Sequence, residues 1–325
     1  MAGNHFRRED DEAERRLSEA RAQAPSTGAQ HMKSASDGLT GKRQLKDSRA
    51  RYKSSGAYNE NDPYGLKRKR KHSKAGVIAT AFLIIGICLL VVAGVMWGGG
   101  QLRYLEQNRI NEELAEHVEL PEGGGAPVVD WDALLAVNSD VVGWICVPGT
   151  VINYPVYQGD DNTEYLNTSA LGQYSIGGQI FLDYQNVAPG MLDAQTIIYG
   201  HHLKNGTMFK AIADMANQGY FDGIHTVWYV TQDATYELAP LFLYYTNGSD
   251  TTVRVMNFDD AESFHNYLSQ KLSTAQTARP GASEIIGGID HAMLLVTCNY
   301  EVNDGRTVLV CVPKDEAGIA SGEDA

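Results

Sequence analysis

The chain has 325 residues, 43% hydrophobic and 21% charged, with a formal net charge of −13. That length and apolar content exclude a wholly disordered or fibrous chain and suit one sizeable domain with accessory segments. The charge is unevenly placed: residues 1–74 hold 18 Lys+Arg against 10 Asp+Glu, net +8, which leaves net −21 for residues 75–325.

Residues 1–74 are rich in Ser, Gly, Ala, Arg and Asp and have almost no apolar periodicity. Such a stretch cannot bury enough surface to offset its ordering entropy and is expected to be disordered. It ends in Lys67-Arg68-Lys69-Arg70-Lys71-His72-Ser73-Lys74, a run suited to anionic lipid headgroups. No aromatic interleaving accompanies the charge, so nucleic acid is not an expected partner.

Residues 75–97 carry no charge over 23 positions, about 35 Å of helix, enough to cross a bilayer core. A cleaved signal peptide would have a shorter apolar run ending in a small-x-small site. Here the run ends Met96-Trp97-Gly98-Gly99-Gly100, which favours a retained single-pass anchor in the plasma membrane. The basic cluster precedes the span and the next basic residue is Arg103, so the N-terminus is expected in the cytoplasm and the rest outside.

Residues 98–130 form a juxtamembrane segment. Leu102, Leu105, Ile110, Leu114 and Val118 recur at near-helical spacing and predict a helix from about 101 to 119, broken by Pro121-Glu122-Gly123-Gly124-Gly125-Ala126-Pro127. Either a stalk or a helix packed on the following domain fits this pattern.

From residue 131 to 315 the pattern becomes mainly β. A short helix over 131–137 precedes strands over 142–147, 151–156, 179–183, 196–199, 226–230, 235–245, 251–255, 293–297 and 307–312, with Asn247-Gly248 as a hairpin turn. A helix over about 259–273 interrupts them, presenting Phe264, Tyr267, Leu268 and Leu272 on one face. This suits a closed or nearly closed β-barrel with inserted helices. Residues 316–325 are expected to be a disordered tail.

Four cysteines and nine histidines need sorting. Cys88 falls mid-span. Cys146 and Cys311 sit inside apolar strands, as small buried hydrophobes or as a disulfide pair. Cys298 ends a strand beside Thr297 and Asn299, where a thiol can meet substrate. His201 and His202 are adjacent, so their side chains diverge and do not make a chelating pair; one is expected to be functional and the other positional. His225, His265 and His291 have no surrounding pattern and read as surface or loop residues. His201, Cys298 and Arg306 together supply a proton carrier, a nucleophile and a fixed cation for a developing oxyanion, the requirements of cysteine acyl transfer.

The region from about Trp131 to Pro313 resembles a sortase of class B. The resemblance rests on Val142-Gly143-Trp144-Ile145 with Pro148-Gly149-Thr150-Val151-Ile152-Asn153-Tyr154-Pro155-Val156, on Gly178-Gln179-Ile180-Phe181-Leu182-Asp183, and on Tyr199-Gly200-His201-His202 with Asn205-Gly206-Thr207-Met208-Phe209. Leu295-Val296-Thr297-Cys298 and then Arg306 complete it. It implies a sortase-type barrel and a membrane-anchored transpeptidase of the Gram-positive type. Such an enzyme cleaves a C-terminal sorting signal of a secreted protein and joins it to an amine of a cell-wall precursor or a pilin. His201, Cys298 and Arg306 match the catalytic positions, and Asn153, Tyr157, Tyr199 and Thr297 fall where substrate is contacted. Val296 departs from the small hydroxyl residue common in relatives, and Asn299 stands where some have an acid. No cofactor or metal is implied.

Two other readings remain at this point. A papain-type or cell-wall cysteine peptidase would hydrolyse only, but those enzymes place cysteine before histidine at a helix start. A catalytically inactive surface scaffold would not need the intact trio.

Overall fold

A computed structural model describes residues 74–299 and 304–321. The expectations of disorder and lipid association for the basic N-terminal segment lie outside the described residues, apart from Lys74.

The first element is a single helix, α1 (Lys74–Ala115), 42 residues long. Its first half is long and apolar enough to cross a membrane, by length and composition, and Phe82, Leu90 and Trp97 stand out from it uncovered. The helix runs through Gly98-Gly99-Gly100 rather than restarting at 101, because glycine weakens a helix without removing a donor or adding a clash as proline does. It also stops before the expected residue 119. Val118–Glu119 (β1) instead pairs with Val128–Val129 (β2), enclosing the Pro/Gly loop.

The remaining elements, in order, are α2 (Trp131–Val137), β3 (Val141–Cys146), β4 (Asn153–Tyr157), β5 (Ile180–Leu182), β6 (Gln195–Tyr199), α3 (Lys210–Asp214), α4 (Gln218–Asp222), β7 (Val227–Val230) and β8 (Thr235–Asn247). Then come a 3₁₀ turn (Thr251–Arg254), α5 (Ala261–Leu272), β9 (Ala275–Ala278), α6 (Ala282–Ile286), β10 (Ala292–Asn299) and β11 (Gly305–Pro313). The strands follow the order β11-β10-β6-β5-β4-β3-β7-β8, and β8 pairs back onto β11, closing an eight-stranded barrel; β9 adds to β8 outside the ring. The closing seam is long, running from Gly305 opposite Asn247 to Pro313 opposite Leu238.

The barrel is covered on more than its inner face, which explains why its strands read as nearly continuous apolar runs. Successive side chains alternate between faces. Ile145, Val156, Ile198, Leu243, Leu295 and Leu309 fill one cluster. Their neighbours Ile197, Phe242, Leu294, Val296, Val308 and Val310 pack under Phe264 and Leu268 of α5 and Ile286 of α6. Trp144, Cys146, Tyr157 and Phe181 pack beneath Ile110 and Leu114 of α1 and Leu134 of α2. The juxtamembrane helix is therefore docked on the barrel and is not a free stalk.

Three expectations are corrected. Residues 251–254 form a 3₁₀ turn, not a strand, because the Asp250 carboxylate caps it by accepting from the Thr252 N–H at 2.9 Å. Asn247-Gly248 consequently does not turn a hairpin; the Gly248 N–H donates to the Asp304 carbonyl instead. The tail beyond 315 is held as far as it is described: Glu316 accepts from the backbone N–H groups of Asp290 and His291 and pairs with the His291 ring at 2.7 Å.

The disulfide alternative is also set aside. All four cysteines are free, and Cys146 and Cys311 lie in different apolar clusters. Burial pushes both thiols up, that of Cys146 to about 11, so neither is poised for thiolate chemistry. Cys311→Ala removes one buried sulfur and should cost about 1–2 kcal/mol, less than a Leu→Ala truncation, in urea unfolding of the full chain in detergent. Turnover of the variant should equal that of the wild type, and a large loss of activity would contradict this structural role.

Candidate active site

Strand register assembles the trio. β6 and β10 run parallel with Tyr199 beside Val296, and the Gly200 N–H donates to the Val296 carbonyl at 3.0 Å. His201 and Cys298 each lie two residues beyond that pair, so both emerge at the same level. β10 and β11 are antiparallel with Arg306 directly opposite Cys298, and directly opposed residues share a face with Cβ atoms about 5 Å apart. Gly200 is required between Tyr199 and His201, because a Cβ there would lie 2.5 Å from Ile180 and 2.7 Å from the Phe209 ring.

The three residues line one cleft of about 250 Å³ together with Asn162, Leu166, Phe181, Tyr199, Gly200, Gly248, Val296 and Thr297. Its walls are largely apolar, with Arg306 contributing a permanent positive charge. The Arg306 guanidinium is aimed by Nη1 bonds to the Asp304 carboxylate at 3.1 Å and to the Gly305 carbonyl at 3.0 Å.

The adjacent histidines have different tasks. The His201 ring bonds through Nε2 to the Leu166 carbonyl at 2.7 Å. A carbonyl only accepts, so Nε2 carries the proton and the neutral ring keeps its lone pair on Nδ1. The His202 ring turns the other way and donates from Nδ1 to the Cys298 carbonyl at 3.2 Å, tying the Cys298 backbone to the histidine loop. Burial lowers the His202 pKa, opposed by that hydrogen bond.

Of the positions expected to contact substrate, Tyr199 and Thr297 line the cleft and Asn153 and Tyr157 do not. Tyr157 is buried and stacks on Tyr165 with ring centroids 5.1 Å apart. Asn153 accepts from the Trp144 indole at 2.7 Å. Tyr157 is a packing position because β4 is covered on both faces there, whereas Asn153 at the start of the strand is half-buried. The Thr297 hydroxyl is buried at the cleft wall with no hydrogen-bond partner among the described residues.

One element of the site was missed in the sequence. Asp183, fully buried after β5, accepts from Arg254 Nε at 2.8 Å, the Tyr199 hydroxyl at 2.9 Å and the Asn162 amide at 2.8 Å. It thereby holds two residues of the cleft wall. Burial raises its pKa, but the bonds from Arg254, the Gln185 backbone, Asn162 and Tyr199 outweigh it and hold the carboxyl below the ordinary range. An acidic residue directly after the apolar run Ile180-Phe181-Leu182 is the signal that marks it.

No protein-family model matches the chain. Sortase B of Staphylococcus aureus is 29% identical over 239 residues, covering 72% of this chain and 96% of that protein. Sortase B of Listeria monocytogenes is 31% identical over 179 residues, covering 54% of this chain and 70% of that protein. The chain belongs to the class B sortases. Among solved structures, sortase B of Bacillus anthracis in complex with AAEK1 matches with a TM-score of 0.56 at 25% identity, over 65% of this chain and 98% of that one. Sortase B of Clostridium perfringens matches with a TM-score of 0.50 at 29% identity, over 56% of this chain and 97% of that one. As a class B sortase the protein is a cysteine transpeptidase, and its eight-stranded barrel is the sortase barrel.

Replacing Asp183 by Asn in this sortase strands part of the Arg254 charge. The expected cost is about 2–4 kcal/mol in urea unfolding at neutral pH, below the full penalty for a buried orphan charge because Arg254 reaches water. The sign with pH follows from the lowered pKa. The wild-type contribution is complete above about pH 5 and is lost as pH falls through the folded-state value, which lies below the unfolded value of about 3.9. The wild-type advantage should therefore shrink below about pH 4. A constant difference between the two proteins from neutral pH down to about pH 2 would refute the assignment.

Proposed function

We propose that Cys298 is the nucleophile, His201 the proton carrier and Arg306 the oxyanion or backbone clamp for cleaving a C-terminal sorting signal and transferring the acyl group to an amine of a cell-wall precursor or pilin. The observation that carries this reading is the register that places His201 and Cys298 two residues past a paired position, with Arg306 opposite the cysteine.

The Cys298 sulfur attacks the scissile carbonyl, its proton passing to His201. The tetrahedral oxyanion faces the Arg306 guanidinium, whose planar, always-protonated fork suits it. Collapse breaks the C–N bond, His201 returns the proton to the leaving amine, and a thioester remains on Cys298. The acceptor amine then attacks that thioester, gives its proton to His201, and releases the joined product with the thiol restored. Thr297 and Tyr199 contact the bound sorting motif. In this reading residues 1–74 lie in the cytoplasm, residues 75–97 of α1 cross the plasma membrane and the barrel lies outside.

The test uses the full chain in detergent micelles with a library of sorting-type peptides and an amine acceptor, read by mass spectrometry. Cys298→Ala and His201→Ala should each lower product formation by more than about a thousandfold, and Arg306→Lys by about a hundredfold. The wild type should show an acyl adduct on Cys298. Turnover by Cys298→Ala would overturn the mechanism, and cleavage without any joined product in the presence of the amine would favour hydrolysis.

A further inference from the structure

Four residues of α1 are buried: Gln107, Ile110, Asn111 and Leu114. Ile110 and Leu114 belong to the apolar cluster over Trp144 and Tyr165, which accounts for them. Gln107 and Asn111, 4% and 6% exposed, are amides taken out of water, which is costly unless each finds partners. The Gln107 Oε1 accepts from the Gly177 N–H at 2.9 Å. Its Nε2 donates to the Gly178 carbonyl at 3.3 Å and faces the Met208 sulfur at 3.6 Å. Asn111 Nδ2 donates to the same sulfur at 3.7 Å.

Both sets of contacts lead to His201. Met208 is fully buried, has a left-handed φ of 58°, and closes the histidine loop through an antiparallel bridge with His202. Its neighbour Phe209 donates from N–H to the His201 carbonyl at 2.9 Å. On the other side, Gly178 has φ +53°, and a Cβ there would lie 2.5 Å from the Leu166 carbonyl oxygen, the acceptor that orients the His201 ring. A Cβ on Gly177 would lie 2.3 Å from Gln107 Nε2. One side chain on the anchor helix thus touches the loop that carries the imidazole and the segment behind the carbonyl that aims it.

We infer that Gln107, assisted by Asn111, is a positioning residue for His201, so that the membrane-anchor helix is part of the apparatus that sets the catalytic imidazole. The inference rests on the reading of His201 as proton carrier. It acts through Met208 and Gly177–Gly178: without the amide the buried Gly177 N–H and Gly178 carbonyl lose their partner, and the loop and the Leu166 carbonyl are free to move apart.

The full chain, ¹⁵N-labelled at histidine in detergent micelles, tests this. The wild-type His201 ring, assigned with His201→Gln, should show one tautomer protonated on Nε2. Gln107→Ala, and Gln107→Met which keeps the volume without the amide, should show mixed tautomers. Their pH profile for iodoacetamide alkylation of Cys298, read by peptide mass, should move toward that of His201→Gln, with the rate at neutral pH down about tenfold. Ile110→Ala, from the same helix face but with apolar contacts, should lower the unfolding midpoint and leave tautomer and profile as in the wild type. A single Nε2–H tautomer and a wild-type profile in Gln107→Met would overturn the positioning role. If His201→Gln itself left the alkylation profile unchanged, the proton-carrier reading would fail instead, and the tautomer would still report on the clamp.

Discussion

The pairing of β10 with two different neighbours is the constraint on which the site depends. Parallel pairing with β6 places the end of the histidine strand level with the cysteine, and antiparallel pairing with β11 places an arginine across from it. Because the side-chain period of a strand is two, a one-residue slip in either ladder would turn a member of the trio to the other face. Register is pinned by the apolar residues that precede the site: Leu294 and Val296 belong under the α5–α6 cover, while Met293 and Leu295 belong to the other cluster.

Around that frame, polar contacts hold the residues of the cleft in place. The Leu166 carbonyl selects the His201 tautomer, His202 ties the Cys298 backbone to the histidine loop, and Asp183 gathers Tyr199, Asn162 and Arg254 at the cleft wall. Buried hydrogen-bond networks of this kind rigidify a site because each member left unpaired is costly. The apolar cleft wall has a complementary effect: the lower local dielectric strengthens the field of the Arg306 guanidinium within the cleft.

The barrel's double coverage links the long apolar helix to the cleft. A helix that begins in an apolar, uncovered span continues without interruption onto the barrel surface. Its docked end supplies apolar contacts to one cluster and two buried amides to the loops beside His201. An interrupted helix with a flexible linker would have left those amides in water.

Much of this was legible in the residues. The uncharged run over 75–97, the β-rich alternation after residue 131 and the helix over about 259–273 are local patterns, written by composition and periodicity. His201, Cys298 and Arg306 stood out because few residue types carry acyl-transfer chemistry and they occur together with long matching motifs. The 251–254 turn was misread because its β-branched residues outweighed the Asp250 cap, and the burial of Tyr157 went unseen because covered faces cannot be told from open ones along a single strand. The role of Asp183, the opposite orientations of His201 and His202, and the reach of Gln107 to Met208 were decided by tertiary structure alone. Each joins residues far apart in the chain, and nothing in local sequence records which carbonyl or sulfur a folded barrel will bring within hydrogen-bonding reach of a side chain.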